Sequence, residues 1–236
     1  MNIALLIAGG VGSRMHQDIP KQFLHVQNKP VLIYTLEAFQ NHPSIDGIVV
    51  VGLEGWLDII WAYARQYNIT KLKYVVVGGE TGQESIRNGI NMIKEHYADS
   101  DIVLIHDGTR PLISQDIISD NLAVQKKYGN AVVAIPCVEA VFESDDRISS
   151  QVNVQRDKLL RTQTPQTYPL HKLLWAHEER IQRNIQHAVA TCDLMCFLGE
   201  KVYFSKGSEK NIKITTVEDI EIFRALLNTD KEQGLK

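Results

Sequence analysis

The sequence predicts an α/β fold built on a doubly wound, mostly parallel sheet, and three observations support this prediction. Short apolar runs of strand length recur along the chain up to Pro136. Segments with apolar residues at helical spacing lie between these runs, an alternation that is typical of parallel sheets. A loop rich in glycine directly follows the first run, where open α/β sheets bind nucleotides.

The predicted strands are almost continuous apolar runs, which is typical of strands buried on both faces of a sheet. They cover residues 3–7, 48–51, 74–77, 102–105 and 131–135, with two shorter runs at 202–204 and 212–214.

The predicted helices have apolar residues three and four positions apart. The first opens at Pro30, in the first turn where proline is tolerated, and has Leu32 and Phe39 on its apolar face. The last opens with Thr216 and Asp219, spaced as a capping box. The others cover residues 56–67, the region of 86–93, 114–128 and 170–185, and the last runs over 216–227.

Residues 138–155 interrupt this alternation. They are mixed and charged, and Ser144, Asp145 and Asp146 give a turn signal. We expect a hairpin arm that leaves the sheet. A chain of 236 residues suffices for one large α/β domain, so we predict a single domain over residues 1–236 that includes the arm at 138–155.

Composition argues against several partners. A net charge of -3 gives no basic surface for nucleic acid. No apolar run approaches the roughly 18 residues of a membrane span, and no signal-peptide pattern opens the chain. Three cysteines in a large domain indicate reduced thiols. We expect a cytoplasmic protein with neither nucleic acid nor a membrane as partner.

The loop after the first strand has the residues of an anion-binding loop. Ala8, Gly9, Gly10 and Gly12 let the backbone approach a ligand and present its N–H groups. Two cations follow, at Arg14 and Lys21, and could hold a polyphosphate.

Two known types of phosphate loop do not match this segment. The loop lacks the Gly-Lys-Ser/Thr ending of a P-loop. It also has Met15 where a dinucleotide fingerprint requires a third glycine or alanine. A tight turn without a ligand is the remaining alternative, and it leaves Arg14 and Lys21 unexplained.

A second group of polar residues follows the fourth strand. Asp107 at a strand's carboxyl end is well placed to hold Mg²⁺ against phosphate oxygens, and Arg110 could pair with a phosphate. A capped turn with an Asp–Arg pair is the alternative. Further along, Lys213 lies within an apolar run, where a lysine is costly unless it is paired, reaches a cleft or lies on an edge strand.

Six motifs in order resemble the cytidylyltransferases that act on polyol phosphates, a family that includes 2-C-methyl-D-erythritol 4-phosphate and ribitol-5-phosphate cytidylyltransferases. The resemblance spans nearly the whole chain. The motifs are Leu-Ile-Ala-Gly-Gly-Val-Gly-Ser-Arg-Met at 6–15, Pro-Lys-Gln-Phe-Leu at 20–24, Gly-Gly-Glu at 78–80 with Ser85, His-Asp-Gly-Thr-Arg-Pro at 106–111, Gln-Thr-Pro-Gln at 163–166 and Asn-Ile-Lys-Ile-Thr-Thr at 211–216.

The resemblance implies a Rossmann-like nucleotidyltransferase fold with a protruding β-arm. It implies transfer of CMP from CTP to a sugar-alcohol phosphate, with Mg²⁺ and release of pyrophosphate. It also implies a homodimer, because Arg156 matches an arginine on an arm that crosses to a second subunit and grips the substrate phosphate there.

The family match assigns roles residue by residue. Arg14, Lys21 and Lys213 would be catalytic. The nucleotide would be bound by Ala8, Gly9, Gly10, Gly12, Gly79, Glu80 and Ser85. The acceptor substrate would be bound by Asp107, Arg110, Arg156 and Thr164, with Asp107 also holding the metal.

Two departures from the family pattern concern the acceptor. Glu139 and Ala140 stand where the family commonly has Asp-Thr at the start of the arm, and a later Thr-Asp pair is shifted, with Cys192 between Thr191 and Asp193. We therefore favour ribitol 5-phosphate as acceptor, with methylerythritol 4-phosphate as the alternative.

Two other classes remain open. An inactive nucleotide-binding regulatory module would predict loss of a loop cation, but Arg14 and Lys21 are both present. A nucleotidyltransferase for another base or a sugar 1-phosphate would share the glycine loop, whereas the motifs at 163–166 and 211–215 favour cytidylyl transfer.

Overall fold

The computed structural model of the protein describes residues 1–10 and 19–233. Within them the strands are β1 Asn2–Ala8, β2 His25–Val26, β3 Lys29–Pro30, β4 Gly47–Gly52, β5 Leu72–Val77, β6 Ile102–Asp107, β7 Ala131–Pro136, β8 Val141–Glu143, β9 Val152–Val154, β10 Leu160–Pro169 and β11 Phe204–Lys206. The helices are α1 Val31–Gln40, α2 Leu57–Gln66, α3 Gly82–His96, α4 Gln115–Tyr128, α5 Leu170–Gln182, α6 Thr191–Phe197 and α7 Val217–Gln233. Short 3₁₀ turns cover Lys21–Phe23 and Arg156–Lys158.

Seven of the described strands form one sheet in the order β11-β7-β10-β6-β1-β4-β5. Neighbouring strands are parallel except where β10 lies antiparallel between β6 and β7. The predicted α/β fold with a mostly parallel sheet is confirmed. Because the carboxyl ends of β1, β4, β5 and β6 meet at one edge, the loops that follow them share a crevice.

Helices cover both faces of the sheet, and alternate residues of β1 show this. Ala4 and Leu6 pack in a core with residues of α1, α2 and α4. Ile3 and Leu5 pack in a second core with residues of α3, α5 and α6. The four side chains are fully buried, which explains why the run reads as apolar throughout.

Strand β10 is the main element that the sequence did not predict. Its residues are mostly polar, and Pro165 and Pro169 lie within it, so its sequence has the composition of a loop. It pairs on both sides, with Gln166 opposite Ile105 of β6 and also opposite Val132 of β7. The partners on either side, rather than intrinsic propensity, make it a strand.

The strand predicted at residues 212–214 is wrong. These residues run beside the loop after β6 instead of joining the sheet, and Ile214 donates its N–H to the Thr109 carbonyl at 2.9 Å. The short strand predicted at 202–204 instead covers Phe204–Lys206. The last helix extends beyond its apolar face to Gln233, and the Asp219 carboxylate accepts from the N–H of Thr216 at its start.

The arm contains the predicted hairpin. Strands β8 and β9 pair with each other in a sheet separate from the main one. The Asp146 carboxylate accepts from the N–H groups of Ile148 and Ser149 and closes the turn. The single domain predicted over residues 1–236 stays a prediction, since the structure describes less than that range.

Two further observations bear on composition. Among residues 1–10 and 19–233, no helix combines the length and apolar character needed to cross a bilayer. The thiols of Cys137, Cys192 and Cys196 are free.

Candidate active site

A first cavity of about 300 Å³ opens where β1, β4 and β5 end. Three glycines bring the backbones of these strands together: a Cβ on Gly9 would lie 3.5 Å from the Gly78 Cα and 3.4 Å from the Gly52 carbonyl oxygen. Gly79 and Glu80, two of the predicted nucleotide-binding residues, also line this cavity. Four of the eight residues that line the first cavity are glycines, so backbone forms much of its wall.

Side chains of α3 fasten the wall formed by the loop after β5. The Ser85 hydroxyl accepts from the Gly79 N–H at 3.0 Å, and the Asn88 amide donates to the Val77 carbonyl at 3.1 Å. Thr81 and Glu84 form a complete capping box at the start of the helix. Ser85 thus holds this loop in place, and its predicted role in nucleotide binding stays a prediction.

Gln22 fastens the glycine loop after β1, a role that the sequence did not predict. Its side-chain amide donates to the carbonyls of Ala8 at 2.7 Å and Gly10 at 3.3 Å, and it is 1% exposed. Lys21, the residue before it, begins the 3₁₀ turn. The signal available in the sequence was the position of Gln22 next to Lys21, a predicted catalytic residue. Its burial, which makes hydrogen-bond partners for the amide necessary, is known only from the structure.

Gly12 and Arg14 lie outside the described residues. Their predicted roles in binding and catalysis stay predictions.

Asp107 joins two predicted cations at the end of β6. Its Oδ2 lies 2.9 Å from Arg110 Nε and its Oδ1 lies 2.8 Å from Lys213 Nζ. Arg110 also donates to the Asn211 carbonyl at 2.7 Å, which ties the cluster to the segment carrying Lys213. The structure thus brings together three predicted site residues from two distant parts of the chain.

The charges of this cluster set the ionisation of Asp107. Burial raises the pKa of the carboxyl, but the Lys213 and Arg110 charges outweigh it and lower the pKa to about 2. The carboxylate is therefore ionised at neutral pH. Lys213, with 42% of its side chain exposed, keeps donors for a further anion.

Thr164 connects this cluster to the buried His106. The Thr164 hydroxyl accepts from the Asp107 N–H at 3.1 Å and lies 2.9 Å from His106 Nδ1. Burial lowers the pKa of His106 to about 4, so its imidazole is neutral at pH 7. Thr164, predicted to bind the acceptor substrate, therefore lies beside Asp107, and His106 lies directly behind it.

These residues line a second cavity, of about 250 Å³. Ile7 of β1 lines this second cavity and Gly9 lines the first, so both cavities lie at the end of β1. The other polar lining residues are Thr162, Gln163, Gln166 and Thr191.

Thr191 is a candidate functional residue that the sequence marked only as a departure from a pattern. It is 1% exposed, and among the described residues its hydroxyl has no hydrogen-bond partner. Gln166 holds the first turn of α6 in place, because its side-chain oxygen accepts from the Cys192 N–H at 2.8 Å. A buried hydroxyl without a partner is uncommon, and this makes Thr191, in the lining of the second cavity, a candidate functional residue.

Arg156 is not brought to this cavity within one chain. Its guanidinium donates to the Val138 carbonyl at 3.0 Å, and 59% of its side chain is exposed on the arm. Glu139 and Ala140 are likewise exposed on the arm.

The family model described as 2-C-methyl-D-erythritol 4-phosphate cytidylyltransferase (IspD) matches residues 2–229. The chain is 42% identical to a ribitol-5-phosphate cytidylyltransferase of Lacticaseibacillus paracasei, over 96% of this chain and 98% of that protein. A protein of the same name from Vibrio parahaemolyticus is 41% identical, over 98% of each chain. A 2-C-methyl-D-erythritol 4-phosphate cytidylyltransferase of Clostridium tetani is 39% identical, over 93% of this chain and 87% of that protein.

Solved structures of similar proteins have the same fold. The 2-C-methyl-D-erythritol 4-phosphate cytidylyltransferase of Francisella tularensis superposes with a TM-score of 0.79 at 29% identity, over 94% of this chain and 97% of that one. The 4-diphosphocytidyl-2C-methyl-D-erythritol synthase of Anaerococcus prevotii gives a TM-score of 0.80 at 28% identity, over 96% of each chain.

Proposed function

The chain belongs to the 2-C-methyl-D-erythritol 4-phosphate cytidylyltransferase (IspD) family and is a cytidylyltransferase, and from this premise we propose that it transfers CMP from CTP to ribitol 5-phosphate. The observation that carries the choice of acceptor is the full-length similarity to two relatives named for that substrate, at 42% and 41% identity. Relatives named for methylerythritol phosphate reach 39% or less among those compared. The products would be CDP-ribitol and pyrophosphate.

The proposed reaction needs no protein base. An oxygen of the acceptor phosphate, already an anion near neutral pH, attacks the α-phosphorus of CTP and forms the new P–O bond. The bond from the α-phosphorus to the oxygen bridging it to the β-phosphate breaks, and pyrophosphate leaves with that electron pair. The protein's contribution is to position the two anions and to stabilise the charge of the pentavalent transition state.

The two cavities support separate binding sites for CTP and for the acceptor. The glycine-walled first cavity suits a nucleoside whose phosphates extend toward β1. The second cavity, with Asp107, Arg110 and Thr164, suits an acceptor that carries both hydroxyls and a phosphate. Lys213 lines the second cavity near the proposed point of attack. We propose that Lys213 and Lys21 neutralise the charge of the phosphates.

We propose Asp107 as a protein ligand of Mg²⁺. The ionised carboxylate fits this metal, because each of its oxygens keeps acceptor capacity beyond the single cation contact it makes. Among residues 1–10 and 19–233, no group of three or more His, Cys, Asp or Glu side chains could form a complete metal site. This suits Mg²⁺, which is usually held by one or two carboxylates together with substrate phosphates. When bound, the ion would neutralise charge on those phosphates.

We also propose that the enzyme is a cytoplasmic homodimer. Large apolar side chains are exposed on the arm, among them Phe142 at 57% and Ile148 at 90%. A second copy would cover them and would bring its Arg156 toward this chain's acceptor cavity. The free thiols support a reducing compartment.

The test of the proposed function is pyrophosphate release by the purified protein with Mg²⁺, one nucleotide and one acceptor at a time. We expect turnover with CTP and ribitol 5-phosphate, and little with UTP or TTP. Turnover only with methylerythritol 4-phosphate would replace the proposed acceptor by the alternative. CTP binding without turnover on either acceptor would favour the inactive regulatory module.

A further inference from the structure

We propose that His106 is a positioning residue which fixes the Thr164 hydroxyl as a hydrogen-bond acceptor toward the second cavity. The enzyme would then select an acceptor substrate that presents a hydroxyl donor at this point. The inference rests on the proposed function, because it concerns how the same cavity reads its polyol phosphate.

The surroundings of His106 determine which ring nitrogen carries its proton. The ring is fully buried, and its two hydrogen-bond partners, the Arg110 carbonyl and the Thr164 hydroxyl, are uncharged, so the ring is neutral and has one N–H. Its Nε2 lies 3.3 Å from the carbonyl oxygen of Arg110, a group that can only accept. The proton therefore belongs on Nε2, since the other tautomer would set two lone pairs against each other. Nδ1 is left as an acceptor.

The bare Nδ1 determines the direction of the next hydrogen bond. Thr164 Oγ1 lies 2.9 Å from Nδ1, so the hydroxyl must donate its single proton to the ring. The same oxygen accepts from the Asp107 N–H at 3.1 Å. A hydroxyl has one proton and two lone pairs, which leaves Thr164 one free lone pair and no free proton.

This arrangement has a consequence for the substrate. Thr164 lines the second cavity beside Asp107 and can accept from a ligand but cannot donate to it. A ligand with a hydroxyl here can donate, whereas a ligand with a carbonyl would face a lone pair. The site thus discriminates a polyol from the corresponding keto compound, a distinction that a freely rotating threonine would not make.

The tautomer can be measured without any substrate. In protein labelled with ¹⁵N-histidine, long-range ¹H–¹⁵N correlations distinguish protonated from bare ring nitrogens. The His106 signals are assigned by their loss in the H106N variant. We expect protonated Nε2 and bare Nδ1. Protonated Nδ1 at neutral pH would overturn the proposal whatever the acceptor is.

Substrate analogues test the consequence. Ribitol 5-phosphate is compared with analogues in which one internal CH–OH becomes CH₂, which neither donates nor accepts, or C=O, which only accepts. The T164V variant identifies which substrate hydroxyl contacts Thr164. For that hydroxyl, the kcat/KM of the deoxy analogue should be no lower with T164V than with the wild-type enzyme. At that position we expect the keto analogue to be as poor as the deoxy analogue in kcat/KM. A keto analogue as good as ribitol 5-phosphate would contradict the proposal.

Variants of His106 test its part in this selectivity. H106L removes the acceptor for the Thr164 proton, so the keto analogue should gain about fivefold over the deoxy analogue. H106N can place a carbonyl oxygen near the former Nδ1 and should keep the keto analogue poor. Equal ratios in wild type, H106L and H106N would reduce His106 to a packing residue and reject the proposal.

Failure of the proposed function looks different. In that case wild-type protein would not use ribitol 5-phosphate at all, while the tautomer measurement would still decide the role of His106. If either His106 variant fails to fold, the wild-type analogue series and the tautomer measurement keep the proposal testable.

Discussion

Single side chains in the second cavity differ in how firmly their own chain holds them. Asp107 and Thr164 have their hydrogen-bonding directions largely fixed by neighbours. Thr191 is the opposite case, because its hydroxyl is buried without a partner among the residues described. Removing a hydroxyl without a partner in its own chain should weaken ligand binding more than it lowers the stability of the fold.

We expect T191V to lower kcat/KM for ribitol 5-phosphate about two- to tenfold, the effect of one lost hydrogen bond. The KM for CTP should not change, because Thr191 lines the second cavity and not the first. Steady-state kinetics with each substrate varied in turn measure both quantities. T191S is the matched control that retains the hydroxyl. Equal acceptor kinetics in wild type and T191V would remove Thr191 from the site.

His177 gives a prediction about pH. It is 4% exposed, and neither ring nitrogen has a partner within the described part of the chain. Burial, with the charges of Arg180 and Arg87, lowers its pKa to about 4. Between pH 6.5 and 4 the unfolded chain binds a proton that the folded chain does not, so the free energy of unfolding falls as pH falls through this window.

From pH 7 to pH 5 the share of His177 in this loss should be about 2 kcal/mol. H177M cannot take up the proton, so its stability should fall with pH by that much less than wild type. Urea unfolding at the two pH values measures the difference. Parallel losses in the two proteins would show that His177 is not the group responsible.

Sequence reasoning found the charged residues of the site better than the neutral ones. Asp107 and Arg110 stood out because they follow the carboxyl end of a predicted strand, and Lys213 because a lysine within an apolar run is costly unless it is paired. Gln22 and Thr191 are common residue types whose importance follows from an unmet or long-range hydrogen bond, which only the folded chain reveals. The role of Arg156 remains a prediction because it concerns a second subunit.

At the scale of elements, the first cavity depends on the close approach of a loop and a helix. The loop after β5 lies against the first turn of α3, where Gly79 has no room for a side chain. A Cβ there would lie 2.3 Å from the Glu84 Cβ. The packing of this loop against α3 thus requires a glycine at position 79.

We expect G79A to push this loop away from α3 and to raise the KM for CTP about tenfold or more, since small displacements at a binding site are costly. G82A is the matched control for CTP, because a Cβ at Gly82 meets no described atom within 4 Å and Gly82 lines the second cavity, not the first. Initial rates with varied CTP measure the effect. Similar KM values for the two variants would mean that loop position does not control CTP binding.

The buried parallel strands could be predicted because an apolar run on both faces leaves little alternative. Strand β10 could not, since its polar residues and prolines favour a loop unless β6 and β7 lie on either side. The strand predicted at residues 212–214 is wrong because an apolar run can also be buried outside the sheet. Ile214 is fully buried without joining the sheet, because it packs beneath α7 with Phe223.

At the scale of the whole molecule, the arm leaves apolar surface that a single chain does not cover. Phe142 on β8 is exposed and directly opposite Asn153 of β9. A glutamate at an exposed position of a monomer changes little, whereas in a dimer interface it would be buried without a partner.

We therefore expect F142E to convert a dimer into a monomer at micromolar concentration, as measured by sedimentation velocity. I59E adds the same charge at an exposed isoleucine on α2 and should leave the dimer intact. A wild-type protein that sediments as a monomer, or an F142E variant that stays dimeric, would contradict the proposed interface.

Ribitol 5-phosphate is the proposed acceptor of this cytidylyltransferase. The most direct test is a competition in one vessel, with CTP, Mg²⁺ and equal concentrations of ribitol 5-phosphate and methylerythritol 4-phosphate. The initial product ratio, read by mass spectrometry, equals the ratio of the two kcat/KM values. We predict CDP-ribitol in excess by a factor of 100 or so, about 3 kcal/mol of discrimination in the transition state. An excess of the methylerythritol product would contradict the claim and assign the cavity to the other acceptor.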